Sequence, residues 1–178
     1  MEIEDFDDEF LSIKELMDQG EISLNDGSFK RPISSLSRTE PIVVSSGSTV
    51  DQCIRTMLEN HIGCVLVVEG QQLKGIFTER DVLMKIVGII ENVTTVSVDK
   101  FMTPNPAALR LNDPLTSALS LMDKGGYRHV PVVNDKNQPA AVVSVKDIVS
   151  YIVDFFPQDV LNLPPHPIRV GTKKREGG

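Results

Sequence analysis

Two short segments of this chain place a hydroxyl and a carboxylate three residues apart, each after an apolar run: Thr78-Glu79-Arg80-Asp81 and Ser144-Val145-Lys146-Asp147. A hydroxyl followed by an acid at that spacing is an ordinary helix start. The hydroxyl caps a backbone N–H and the acid complements the helix dipole. The same geometry can serve a ligand. A helix N-terminus offers N–H groups and partial positive charge to an anion. The capping hydroxyl can bond a phosphate or sugar oxygen, and a carboxylate one turn in can accept both hydroxyls of a vicinal diol. Together these groups suit a ribose phosphate. Arg80 and Lys146 put one cation in each segment, and Arg128-His129 form a cationic pair that occurs once.

Other chemistry finds little support. The chain has no H-E-x-x-H, G-x-S-x-G, P-loop or G-x-G-x-x-G. His61, His129 and His166 are scattered, and no carboxylate pair is locally arranged for acid–base work. The expectation is a protein that is not an enzyme and needs no metal or cofactor. Cys53 and Cys64 lie inside apolar patterns without metal-ligand spacing. They read as small core residues of a reducing compartment, with a disulfide between them left open.

The two segments are copies within a longer duplication. Gly75-Ile76-Phe77-Thr78-Glu79-Arg80-Asp81 recurs as Ala141-Val142-Val143-Ser144-Val145-Lys146-Asp147, and Val65–Val68 recurs as Val130–Val133. The offset is 65 residues up to Val68/Val133 and 66 beyond, because the turn Asn134–Gln138 is one residue longer. Each copy reads β-α-β-β-α. In the first, the spacing predicts a strand at Pro41–Val44, a helix Val50–Asn60 capped by Thr49, strands Cys64–Val68 and Leu73–Phe77, and a helix from Glu79 to Val87 stopped at Gly88. In the second it predicts a strand Ala107–Leu109, a helix capped by Asp113 with Pro114 at its first position, strands Val130–Val133 and Ala140–Val143, and a helix Val145–Phe155 capped by Ser144. One copy alone buries too little surface to be secure. Two can pack sheet to sheet about a pseudo-twofold axis and share a core, which makes the fold class α+β.

The organisation along the chain follows. Residues 1–30 form an acidic extension, with Phe6, Phe10, Ile13 and Met17 at helical spacing. Residues 31–90 are the first unit and 91–156 the second. Residues 157–178 are a Pro-rich, basic tail expected to be extended or disordered. Residues 1–26 hold ten acids against Lys14, so the remaining chain stands at about +2 although the whole carries −7. The main body does not repel an anionic ligand, yet it lacks the clustered basic face of a nucleic-acid binder. No apolar run approaches the roughly 20 residues that span a bilayer, and the acidic N-terminus is unlike a secretory signal. A cytoplasmic protein with no membrane insertion is expected.

The tandem units, the G-I-F-T-E-R-D and A-V-V-S-V-K-D segments, Phe101-Met102-Thr103-Pro104 and Arg128-His129-Val130-Pro131-Val132-Val133 resemble the CBS-domain family over about residues 31–156. Two such units make a CBS pair, or Bateman module. The resemblance implies a regulatory module binding AMP, ADP, ATP or S-adenosylmethionine in clefts between the units, and commonly dimerising. Carried across by position, it implies that Asp81 and Asp147 contact ribose hydroxyls, and that Thr78 and Ser144 contact ribose or phosphate. Ile42, Val43, Ala107, Ile76 and Val142 are candidates to line a base pocket, although the same positions suit plain core.

Two departures from the repeat predict unequal clefts. Ala141 replaces the glycine found at Gly75, and its methyl is expected to tighten the second cleft or alter its strand. Arg128 and His129 align with Gly63 and Cys64, so only one cleft gains that pair. For that cleft, the cross-repeat arrangement of the family it resembles implies Asp81 as the ribose partner. The leading expectation is a nucleotide sensor, forming a homodimer and signalling to a regulated enzyme or transporter. The competing one is a constitutive dimerisation scaffold with vestigial clefts. The scaffold alone remains if the carboxylates of Asp81 and Asp147 turn away from any shared hollow or are locked in internal bonds.

Overall fold

Two apolar runs without alternation, Cys64–Glu69 and His129–Val133, form the central strands, because each is buried on both faces along nearly its whole length. In the computed structural model, which describes residues 29–36 and 40–155, the first unit comprises β1 (Val43–Ser45), α1 (Val50–Asn60), β2 (Cys64–Glu69), β3 (Gln72–Thr78) and α2 (Glu79–Asp81). The last runs on into a wide turn, Val82–Ile86. A 3-10 turn (Val98–Lys100) leads to β4 (Thr103–Pro104). The second unit comprises β5 (Leu109–Arg110), α3 (Leu115–Gly125), β6 (His129–Val133), β7 (Pro139–Ser144) and α4 (Val145–Phe155). The predicted helix at Phe6–Met17 and the C-terminal tail lie outside the described residues.

Each unit builds its own sheet. β1 pairs parallel to β2, β2 antiparallel to β3, and β3 antiparallel to β4. In the second, β5 is parallel to β6, and β6 antiparallel to β7. The duplication extends to irregularities: the register shifts between Val67 and Val68 and again between Val132 and Val133. Alternate residues of the central strands feed separate cores. Val65, Val67 and Phe77 face the first unit's helices, and Val130, Val132 and Val143 face the second's. Cys64, Leu66, Leu73 and Ile76 meet Val133, Val142 and Ala108 in a seam between the sheets. The result is the sheet-to-sheet α+β arrangement expected from the repeat.

The units also exchange their lead-in segments. Ile33 and Leu36 are buried in the second unit's core, tied by Ile33 N–H donating to the Asp113 carbonyl at 2.8 Å and Leu115 N–H to the Arg31 carbonyl at 2.9 Å. Val98 and Met102 are buried in the first unit's core, with Val50 N–H donating to the Val96 carbonyl at 2.9 Å. Each lead-in precedes one unit along the chain and completes the other in space.

Several expectations are corrected. Asp113 does not cap α3: Pro114 holds the cap position without a side-chain bond, and the Asp113 carboxylate accepts instead from Arg110 N–H at 2.8 Å. β1 and β5 each begin two residues later than the apolar pattern indicated, at Val43 and Leu109. The helix after Thr78 widens after one turn. Ala141 is fully buried in the second unit's core with Val143, so its methyl points away from the inter-unit seam rather than tightening a cleft. Both cysteines are free and buried.

Candidate functional site

The Thr78 and Ser144 segments both fold as reciprocal caps. Thr78 N–H and Oγ1 donate to Asp81 Oδ2 at 2.9 and 2.7 Å, and Asp81 N–H donates to Thr78 Oγ1 at 3.3 Å. Ser144 N–H and Oγ donate to Asp147 Oδ2 at 2.7 and 2.7 Å, with Asp147 N–H returning to Ser144 Oγ at 3.2 Å. A further pair of matched bonds seats each helix on the start of a central strand. Glu79 N–H donates to the Gly63 carbonyl at 3.0 Å, and Val145 N–H to the Arg128 carbonyl at 3.1 Å.

From here the copies diverge. A cleft of about 240 Å³ opens between the units beside Asp81, near the lower end of the size of small-molecule sites. The end of β3 and the start of α2 supply Ile76, Thr78, Glu79, Arg80 and Asp81. The segment after β4 supplies Pro106 and Ala107. The end of α3 and the start of β6 supply Gly125 through His129, and then Pro131. Four expected site residues from the first unit's segment and the cationic pair from the second therefore meet. Ala107 is on the apolar wall. Ile42 instead packs against the first unit's core, Lys146 is exposed, and Ser144 and Asp147 do not line this cleft.

Burial matters for how many groups remain available. Asp81 is nearly buried, and its Oδ1 lies 2.6 Å from Lys85 Nζ. Of the roughly four acceptor sites of a carboxylate, the cap takes two and Lys85 one. Asp147 is bonded into the same kind of cap through its Oδ2 and does not line this cleft, whereas Asp81, held by its cap and by Lys85, borders the hollow.

His129 is not a resident cation. Burial pushes its pKa below the ordinary value, and neighbouring Arg128 pushes the same way, against Glu79 and Asp147. The expected cationic pair is one guanidinium and one neutral imidazole at neutral pH. The imidazole fits because residue 63 is glycine: a Cβ there would sit 2.9 Å from His129 Cε1 and 3.1 Å from Glu79 Oε2. Burial also pushes the Cys64 thiol up to about 12 and the Cys53 thiol to about 11, so neither is a nucleophile near neutral pH.

The sequence reading missed Tyr127, Glu79 and Lys85. Tyr127 is half exposed in the cleft, its ring folded over Gly125, where a Cβ would collide with it. Its signal was available: it aligns with Ile62, so an aromatic appears beside the cations in one copy only. Among the described residues no cluster of His, Cys, Asp and Glu could hold a metal ion, and no helix is long and apolar enough to cross a membrane.

With two interlocked β-α-β-β-α units and a cleft between them, comparison gives a consistent class. A model of the CBS domain matches the chain twice, over residues 33–88 and 97–154, and the chain belongs to the CBS-domain family. The CBS domain-containing protein CBSCBSPB1 of Arabidopsis thaliana is 31% identical over 125 residues, which are 69% of this chain and 23% of that protein. The chain thus spans about a quarter of that relative's length. A CBS-domain-containing protein of known structure from Agrobacterium tumefaciens is 27% identical, with a TM-score of 0.60 over 67% of this chain and 96% of the other. A CBS domain protein from Pyrobaculum aerophilum, solved in complex with AMP, shares the fold at 18% identity, with a TM-score of 0.62 over 71% of this chain and 98% of the other.

Proposed function

We propose that this chain is a non-catalytic regulatory module whose cleft takes one adenosine nucleotide, AMP, ADP or ATP. The observation that carries this reading is the convergence of Thr78 and Asp81 from one unit with Arg128 and His129 from the other around a single hollow. In it the ribose lies against Asp81 and Thr78, the phosphates face Arg128 and Arg80, and the base rests on Ile76, Pro106, Ala107 and Tyr127. The complex of AMP with a protein of the same fold supports the ligand class. An open, mixed polar and apolar cleft favours a sensor over a scaffold.

A ligand touching both units shifts their relative arrangement by no more than its differential affinity for the alternatives. The output passes to a partner or to a second copy of the chain. Leu58, Leu83, Met84, Val87 and Ile89, each more than half exposed, supply apolar surface for such contacts. Two free thiols suit a reducing, cytoplasmic setting.

Calorimetry with AMP, ADP, ATP and adenosine tests the reading. Arg128→Ala should weaken ATP roughly tenfold or more, the worth of a charge-assisted bond, and leave adenosine nearly unchanged. Equal losses would remove the phosphate role. Absence of heat and thermal shift at millimolar nucleotide would leave the scaffold, and response to S-adenosylmethionine alone would reassign the ligand.

A further inference from the structure

Lys85 connects the cleft carboxylate to the segment that closes the cleft. Its Nζ lies 2.6 Å from Asp81 Oδ1 and donates to the Phe101 carbonyl at 2.7 Å. Phe101 precedes the stretch that supplies Thr103, Pro106 and Ala107 to the cleft wall. Lys85 sits in the wide turn Val82–Ile86, where Val87 N–H donates to the Val82 carbonyl at 3.0 Å, five residues back. Such turns are rare and concentrate at functional sites.

The second unit shows what the fold does without this arrangement. The residue aligned with Lys85 is Tyr151, which is buried in that unit's core, and α4 keeps regular helical geometry throughout Val145–Phe155. The fold therefore does not require a lysine or a wide turn here. They occur only in the copy whose carboxylate lines the cleft.

We propose that Lys85 is a specificity-determining gate: it holds the acceptor on Asp81 that the second hydroxyl of a vicinal diol would need. The proposal rests on the nucleotide reading of the cleft. With Thr78 bonded twice to Oδ2 and Lys85 to Oδ1, roughly one acceptor site is left. Asp81 then takes one ribose hydroxyl. It takes both only when Lys85 swings away, which also releases the Phe101 carbonyl and frees the connector to move. Lys85 acts through Asp81 and is a positioning residue.

The test compares AMP with 2′-deoxy-AMP on the full chain and on Lys85→Met, by calorimetry. In the wild type the two should bind within a few-fold of each other, because only one hydroxyl is accepted. In Lys85→Met the preference for AMP should rise roughly tenfold, the worth of one added bond to a charged acceptor. Taking the ratio cancels the general loss of positive charge, and a merely structural role for Lys85 would leave the ratio unmoved. Lys85→Gln, which keeps a donor for Phe101, should give a smaller rise and decides the matter if the methionine variant melts below the assay temperature. An unchanged or lowered ratio overturns the gate while nucleotide binding stands. Failure of every protein to bind AMP overturns both.

Discussion

At the residue scale, Asp99 shows how one carboxylate fastens an exchanged segment. It sits in the turn Val98–Lys100 and accepts from Ser46 Oγ at 3.0 Å, Gly47 N–H at 2.7 Å and Ser97 Oγ at 2.9 Å, with Lys74 Nζ 3.8 Å away. Lys74 also donates to Ser46 Oγ at 2.8 Å. Burial alone would raise its pKa, but the bonds from Ser97, Gly47 and Ser46 outweigh it and hold the carboxyl below the ordinary value of 3.8. A depressed carboxyl contributes stability that is complete above its unfolded pKa and is lost as pH falls through the folded one. Asp99→Asn should therefore cost about 1–2 kcal/mol at pH 7, measured by urea unfolding. The gap from wild type should close below about pH 4. A gap that persists undiminished at pH 2.5 would show that the side chain acts through shape, not charge. His129, depressed by burial, follows the same sign in a higher window: its contribution is complete above about pH 6.5 and falls as the solution becomes more acidic.

At the scale of elements, β3 meets the connector at Gly75, where the Cβ of any other residue would lie 2.3 Å from Met102 Sδ. Gly75→Ala should destabilise by about 1–3 kcal/mol through overpacking. Met102→Ala in the same chain should recover part of that, because the thioether is the colliding group. Chemical denaturation of both single variants and the double variant measures the coupling, and strict additivity would show that the two positions do not oppose each other. The strands and α1 were legible because their causes are local: continuous apolar runs, and Thr49 with Gln52 forming the reciprocal cap. Asp113 was misread because two partners compete for it, and the Arg110 N–H won. The wide turn after Asp81 was invisible because its apolar spacing is also that of an α-helix. For the cleft, the aligned copies exposed Arg128, His129 and Asp81, since asymmetry between repeats can be read from letters. The duties of Gly63 and Lys85 depend on which atoms a distant strand or segment brings near, and no local pattern encodes that.

At the scale of the whole molecule, the exchanged lead-ins predict that two sequence repeats fold as one cooperative body. A second link lies at the start of β3, away from the cleft at its end. Leu73 N–H donates to the Asn137 carbonyl at 2.8 Å, and Asn137 Nδ2 donates to the Leu73 carbonyl at 3.3 Å. Asn137, in the longer second turn, reaches this position with a left-handed φ of 57°, which asparagine tolerates better than most residues. The units are thus pinned at one end and parted at the other, the arrangement in which a ligand in the cleft acts on their relative angle. Ile33 tests the cooperativity, because it belongs to the lead-in of the first unit and is fully buried in the core of the second. Ile33→Ala should cost about 2–5 kcal/mol. Native-state hydrogen exchange should lose protection in β2 and β3 by the same amount as in β6 and β7, because global opening exposes both hairpins together. Loss confined to β6 and β7 would mean that the second unit opens alone. The cleft between the units would then be assembled from parts able to separate, and its occupancy would be reported by local unfolding in place of rotation about the Leu73–Asn137 link.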